Sequence, residues 1–600
     1  MNNIQLELNQ YILIMKPRSV SWDKPHGSDD KTVSATMISN ALSGDHLSDF
    51  FKFTKNSGKV GKFQQMIMES GITFEEEVVK DLRQRIKVVS ISERFSDDSV
   101  KETTDAMMRG ELVIHSGSLF NDVDRTFGIA DLIVRSDIIN TLFDREIIPP
   151  TDVNIRAPKL PEGAHYHYVV LDIKWKTLEI LTDGKTLSNM KRNLAYKGQV
   201  NIYNNAIACI QGYLPENAFI VGSAYKCRQV SVKGYRKSVA TVSFNGKDSK
   251  VPSQVAGAVD WIRVVDANRD RWLDKDPIKC HPRLKPNMTI NSGAYQYDKV
   301  AYAKKIKDIT LVWQCGTKHR ELAHRAGIYT YDDPRLTADI MGFKNSRKEI
   351  VNSILRINRD SVNELYHPPT VSGEMFGWTD RPNRFFVDFE AVPLSHKDVK
   401  LFMIGVHHEN ESGEWTFTSF IARKLNIEEL HRIMSEFKTY VYENTYPSGS
   451  RPRLYHYGHY EQSTWRSHSA LVNNYYDSMN PTIAKAIASS IEFLEGTWVD
   501  MLTVIRDEQV VVKGSLGFSI KDIGGALFKH GLIQSCWDSE SSCLNGEDAV
   551  VLASEYYESV DNNELVDENI MTTIEWYNEM DVVVLRNIVE FLDGIVRVSV

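Results

Sequence analysis

The sequence predicts an α/β protein of several domains, and three observations carry that reading. Two stretches, far apart along the chain, alternate apolar β-branched runs with amphipathic helical runs, as sheets covered by helices require. A mostly helical region lies between them and closes on NELYHPPTVSG, where Pro368, Pro369 and Gly373 mark a linker. The 600 residues are 42% hydrophobic and 25% charged, an ordinary globular composition with material for more than one core. The expected division is an irregular lead-in over 1–33, an α/β domain over 34–284, a helical middle over 285–375 and a second α/β domain over 376–600.

Charge and cysteine content exclude other classes. A net charge of −8 argues against a uniformly basic nucleic-acid coat, yet suits acidic metal sites beside local positive charge. The six cysteines (209, 227, 280, 315, 536 and 543) include no C-x-x-C pair, so neither a zinc ribbon nor a disulfide scaffold is expected. A reducing intracellular compartment fits: the cytoplasm, or the nucleus or a viral factory. The apolar run YILIM is too short for a signal-peptide core, and no segment is long enough to span a membrane, so no membrane partner is expected.

The first domain turns on the strand YHYVVLDIKWKT. Asp172 and Lys174 stand two apart, and strand side chains alternate faces, so both point the same way. A carboxylate and an ammonium side by side suit a hard divalent cation and a nucleophilic water. Upstream, FGIADLIVRSD is a second strand carrying Asp131, the end of a hairpin that begins near Glu111. Downstream, KRNLAYKGQVNIYNNAIACIQGY is a helix with Gln199 and Tyr203 one turn apart. Earlier, GITFEEEVVKDL opens an amphipathic helix with Glu75 near its start. Singly, each of these residues suits a surface ion pair or a satisfied polar group; their order and placement carry the reading.

That order resembles the RecB-like branch of the PD-(D/E)xK nucleases, whose pattern is an acid on the first helix, G-x-x-D, D-x-K and Q-x-x-x-Y. Here the matching residues are Gly128 to Asp131, Asp172 to Lys174 and Gln199 to Tyr203. The resemblance implies a restriction-endonuclease-like fold in which Glu75, Asp131 and Asp172 ligate Mg²⁺ or Mn²⁺ through hard oxygen donors. It implies that Lys174 orients or deprotonates the water or steadies charge on the phosphate, while Gln199 and Tyr203 contact nucleic acid. Many RecB-like nucleases hold an iron–sulfur cluster with one cysteine near the position of Gly44. No cysteine precedes Cys209 here, so no cluster is expected.

After that helix, AYKCRQVSVKGYRKS interleaves Lys226, Arg228, Lys233, Arg236 and Lys237 with Tyr225 and Tyr235. This is either a hairpin gripping a single strand or a solvated basic face. His165 and His167 have the spacing of a metal pair but lack a third ligand. In the middle region, WQCGTKHRELAHRAGIYTYDDP resembles half of a helix–hairpin–helix, with an ordinary αα-turn as the plainer alternative.

From Arg384 the texture changes. RFFVDFEAV, LFMIGVHHE and WTFTSFIAR read as three strands, followed by the helix NIEELHRIMSEFKTYVYEN and the strand RLYHYG. Asp388 and Glu390 share a strand face. Glu461 follows a strand end, and EWYNEMDVVVLRNIVEFL is a helix with Tyr577 and Asp581 one turn apart. This pattern resembles the DEDD exonuclease superfamily in its tyrosine-bearing form, on an RNase H-like fold. The whole chain resembles proteins that fuse a RecB-like nuclease to a YprB-type domain of that fold. The resemblance implies that Asp388, Glu390, Glu461 and Asp581 hold two cations and that Tyr577 positions a water. His456 stands where these exonucleases usually have Asn, and Glu461 where they usually have Asp. Such a one-methylene displacement carries a cost on the order of 10²-fold in rate. Asp500 is either a further acid of the site or a structural residue.

The combined expectation is a metal-dependent exodeoxyribonuclease acting on single-stranded ends or flaps of DNA in replication, recombination or repair. The alternatives are an RNA-processing nuclease and a non-catalytic nucleic-acid-binding protein. The chain has no G-x-x-x-x-G-K-[ST] loop, so a helicase partner would act in trans.

Overall fold

Two large sheets organise the chain. The computed structural model describes residues 32–54, 61–91, 95–361, 363–379, 383–392, 399–446, 451–493, 496–537, 543 and 545–596. The expected lead-in over 1–33 falls almost wholly outside them. The chain separates into two units, one comprising the described residues before 61 with Ile67–Val300, the other Gly61–Met66 with Ala301 onward.

In the N-terminal unit, helices α1 (Lys62–Arg85, which belongs to this unit from Ile67 on) and α2 (Asp97–Met108) precede the strands β1 (Val113–Asn121), β2 (Thr126–Arg135) and β3 (Tyr168–Glu179). These three strands pair antiparallel in chain order. Helix α3 (Lys191–Gln211) then crosses over, so that β4 (Asn217–Cys227) runs parallel to β3. Strands β5 (Val230–Lys233) and β6 (Val239–Ser243) both pair antiparallel with β4. Phe74, Val78 and Leu82 recur at the four-residue spacing of one helix face and pack into a core with Leu132, Val134, Leu171 and Ile173. Helix α1 begins at Lys62, not near Gly71, so Glu75 lies in its second half. Lone Gly71 costs about 1 kcal/mol against Ala, and the helix formers around it outweigh that.

In the second unit, β7 (Arg384–Ala391), β8 (Leu401–Glu409) and β9 (Trp415–Ile421) form an antiparallel meander. Helix α4 (Ile427–Glu443) returns the chain to β10 (Arg453–His456), parallel to β7. Helix α5 (Tyr460–Met479) follows, and β11 (Trp498–Asp500) adds parallel to β10. The spatial order is β9-β8-β7-β10-β11. Phe385, Val387 and Phe389 of β7 pack with Leu430, Ile433 and Phe437 of α4. Each buried side chain of this size contributes roughly 1.5–3 kcal/mol. The intervening residues face the other way, where Phe386 shares a core with Val584, Leu585 and Ile588 of α7 (Asn569–Asp593); α6 (Ile520–Lys529) packs there through Ile523 and Leu527. Alternation along β7 thus buries Phe residues on one face and turns the acids toward α7.

Residues of the middle region join this second core: Ile309, Ile350 and Ile354 cluster with Val504 and Ile505, and Tyr366–His367 pairs with Val511–Val512. The segment resembling half of a helix–hairpin–helix does not complete that motif. Helix Thr317–Arg325 is capped by Ala326 and followed by Gly327, whose φ is +73°, and turns follow until helix Ser346–Arg359. Asp332-Asp333-Pro334 favours those turns over a second short helix. Among the described residues no helix is long and apolar enough to cross a membrane.

Candidate active sites

The pairing of β2 with β3 ends at Leu132 opposite Leu171. Beyond that pair the Asp131 carboxylate takes the place of a backbone partner, its Oδ2 accepting the Ile173 N–H at 2.5 Å. Asp172, fully buried, places Oδ2 2.7 Å from Lys174 Nζ, while its Oδ1 accepts no hydrogen bond. Burial, and then the Asp172 charge, pushes Asp131 well above the ordinary carboxylate range. Burial also raises Asp172, against the pull of Lys174. It works against the Lys174 ammonium too, but Asp172 and Asp131 outweigh it and hold that proton more tightly than water would.

Helix α3 completes this site. Gln199 Nε2 donates to the Tyr203 hydroxyl at 2.7 Å. The buried Tyr203 ring lies so close to Gly128 that a Cβ there would stand 2.5 Å from its Cε1, so the glycine of G-x-x-D makes room for the tyrosine of Q-x-x-x-Y. Burial, then Asp172 and Asp131, raise the Tyr203 phenol and keep it protonated. Glu75 acts electrostatically on Asp131 and Asp172 but bonds His115 Nε2 at 3.1 Å through Oε1. His115, on β1, escaped the sequence reading, as did Tyr196 of α3, whose ring centroid is 5.9 Å from Lys174 Nζ. Tyr196 precedes Gln199 by three residues, a helical spacing that places both on one side of α3.

Lys226, Arg228 and Lys233 are exposed on the β4–β5 hairpin. Lys233 lies opposite Ala224, so it shares a face with Lys226. Arg236 is instead held at 2.8 Å by Asp144, and the Tyr235 hydroxyl donates to Asp81. His167 is buried with Nδ1 donating to the Ile155 carbonyl at 3.1 Å, and burial lowers its pKa to about 4. His165, the other half of that pair, is exposed, and no third ligand joins the two among the described residues.

The second site is more closely drawn together. Asp388, Glu390 and Asp581 each offer an oxygen, and the three oxygens lie within 4.8 Å of one another; among the described residues no other group of three acidic, His or Cys side chains is so close. Glu461, buried in the first turn of α5, acts electrostatically on all three, although its oxygens lie outside their 4.8 Å group. Its Oε2 makes no hydrogen bond, with His456 Nδ1 3.3 Å away. Burial and then Asp581 raise Glu390 to about 8, and burial raises Asp581 to about 6 against the pull of Trp537 and Lys521. Asp388 rises well above the ordinary range, through burial and then its three acidic neighbours. Burial, then Asp581, Glu390 and Asp388, keep the Tyr577 phenol protonated, so it can donate to Asp581.

Side chains that sequence reasoning missed surround this cluster. Trp537 Nε1 donates to Asp581 Oδ1 at 2.7 Å, and Lys521 Nζ lies 5.5 Å from the Trp537 ring and 5.2 Å from that of Tyr577. Trp537 stands in a loop without periodicity, so nothing local marked it. Asn578 bonds Asp388 directly; its three-residue spacing from Asp581 was the available signal. Asp500 is structural. It caps helix Met501–Asp507, accepting from Leu502 N at 3.0 Å and Thr503 Oγ1 at 2.7 Å, and also takes Gly458 N.

Residues 385–593 match a family model described as RNase_H superfamily. The chain therefore carries an RNase H-like domain at its C-terminal end, whose sheet supplies Asp388 and Glu390 while helices α5 and α7 supply Glu461 and Asp581. Such a domain belongs to nuclease-type chemistry and to divalent metals. No curated protein and no solved structure matches the chain. Oxygens close enough to share a cation and the orphaned Oε2 of Glu461 fit a divalent metal, as hard carboxylate donors should.

Proposed function

We propose that the protein is a metal-dependent exodeoxyribonuclease with two nuclease units: a RecB-like PD-(D/E)xK domain, and an RNase H-like 3′–5′ exonuclease domain acting on single-stranded ends of DNA. The observation that carries this reading is the convergence of Asp388, Glu390 and Asp581 on one face of the RNase H-like sheet. In the N-terminal unit, support comes from the antiparallel β1–β2–β3 meander, the α3 crossover to parallel β4, and the meeting of Asp131, Asp172 and Lys174 where β2 and β3 part.

Asp388, Glu390, Glu461 and Asp581 would hold Mg²⁺ or Mn²⁺ in the second site, and Asp131 and Asp172, with Glu75 nearby, in the first. When bound, such ions supply water activation and stabilisation of the leaving oxygen. Tyr577 orients the attacking water through its hydroxyl. Lys174, held protonated, steadies negative charge growing on the phosphate rather than removing a proton. Gln199 and the Lys226, Arg228 and Lys233 hairpin engage the nucleic-acid backbone, and any helicase would act in trans.

The test is cleavage of labelled single-stranded DNA and RNA by the wild type, Asp172→Ala, Asp388→Ala and the double variant, with Mg²⁺, Mn²⁺ or chelator. DNA cleavage that is lost in the double variant and under chelation supports the reading. Preference for RNA changes the substrate class, and absence of any metal-dependent cleavage by the wild type overturns the reading.

A further inference from the structure

Asn578 lies between the two residues of α7 that the sequence marked, Tyr577 and Asp581. It is fully buried, and its Nδ2 donates to Asp388 Oδ2 at 2.7 Å. Glu390 is within hydrogen-bonding reach of the same side chain. Its Oδ1 makes no hydrogen bond and turns to the neighbouring strand, against Gly405 of β8. Gly405 is the residue paired with Asp388 across the β7–β8 ladder. A Cβ at Gly405 would overlap Oδ1 and stand 2.8 Å from Cγ of Asn578. The strand beside Asp388 is thus bare at the place where the amide must fit.

We infer that Asn578 is a positioning residue for the proposed metal site: its amide holds one oxygen of Asp388 and so sets the orientation in which that carboxylate meets a cation. The choice of an amide follows from charge. Three carboxylates whose oxygens lie within 4.8 Å repel one another strongly. A lysine or arginine at 578 would relieve that repulsion but compete with the metal for the same oxygens. An aspartate would add to the repulsion, and a glutamine would drive its extra methylene into the Gly405 strand. A neutral donor of this length orients the carboxylate without opposing a cation, and partners of metal-ligating groups typically carry roughly 10–100-fold in metal affinity.

This inference rests on the proposed metal site, so the experiment separates the two. In the full chain carrying Asp172→Ala, Mn²⁺ binding is titrated by calorimetry, and DNA cleavage is followed against Mn²⁺ concentration, for Asn578→Leu, Asn578→Ala and Asp388→Ala. Leucine keeps the branched outline of Asn578, at a larger volume, and removes the donor; alanine serves if leucine fails to fold, as judged by thermal unfolding without metal. The expected result is roughly 10–100-fold weaker Mn²⁺ binding in the Asn578 variants, with a matching rise in the Mn²⁺ needed for half-maximal cleavage and much of the plateau rate recovered at saturation. Wild-type Mn²⁺ affinity in Asn578→Leu would overturn the positioning role while leaving the metal site intact. Absence of any Mn²⁺ binding that Asp388→Ala removes would overturn both.

Discussion

Replacing Asp581 by asparagine should stabilise the C-terminal unit when divalent cations are stripped away, while abolishing its response to them. Burial raises this carboxyl from 3.8 to about 6, which corresponds to roughly 3 kcal/mol against the ionised native state at pH 8. The sign follows from proton binding. Because the folded pKa is raised, the native protein binds more protons than the unfolded chain; its stability is full below about pH 4 and declines as pH rises through about 6. Asparagine keeps the shape and the oxygen that accepts from Trp537 Nε1. Thermal unfolding in chelator should therefore place Asp581→Asn above the wild type at pH 8, by an amount on the order of 6–12 °C for the transition of the C-terminal unit. The gap should close near pH 4. With Mn²⁺ the order should reverse, because the wild type gains a ligand that the variant holds poorly. A variant no more stable than wild type at pH 8, or a gap that does not change with pH, would refute the account of the acidic cluster as a set of buried, mutually repelling carboxylates.

The same protonation predicts that the Mn²⁺ concentration for half-maximal cleavage rises as pH falls below about 8 and again below about 6, because protons occupy Glu390 and Asp581; a metal titration at several pH values checks this. Lys174→Ala should lower the cleavage that remains in an Asp388→Ala background by about 10²–10³-fold, since it removes the ammonium 2.7 Å from Asp172; an unchanged rate would remove Lys174 from the chemistry. Replacing Lys226, Arg228 and Lys233 together by alanine should weaken single-stranded DNA binding and reduce its salt slope by about 2, read by fluorescence anisotropy at several salt concentrations. Gly128→Ala should destabilise the N-terminal unit by about 1–3 kcal/mol in a denaturant titration, because its Cβ would press on Tyr203.

Much of both candidate sites was legible before any tertiary structure, for a local reason. A strand repeats every two residues and a helix every three to four, so Asp172 with Lys174, Asp388 with Glu390, Gln199 with Tyr203 and Tyr577 with Asp581 share a side wherever their elements end up. Hydrophobic alternation likewise marked the strands that carry them. Packing settled what these periods leave open. It brought Asp581 of α7 against Asp388 of β7, tied Glu75 to His115, and made Asp500 a helix cap. It locked Arg236 onto Asp144 while Lys226 and Arg228 remain exposed. It also set bare Gly405 beside Asn578 and drew Trp537 from an unpatterned loop onto Asp581. Periodicity assigns a residue to a side of its own element, whereas the distance between elements depends on strand register and on which helix covers which face, and no short stretch of sequence encodes either.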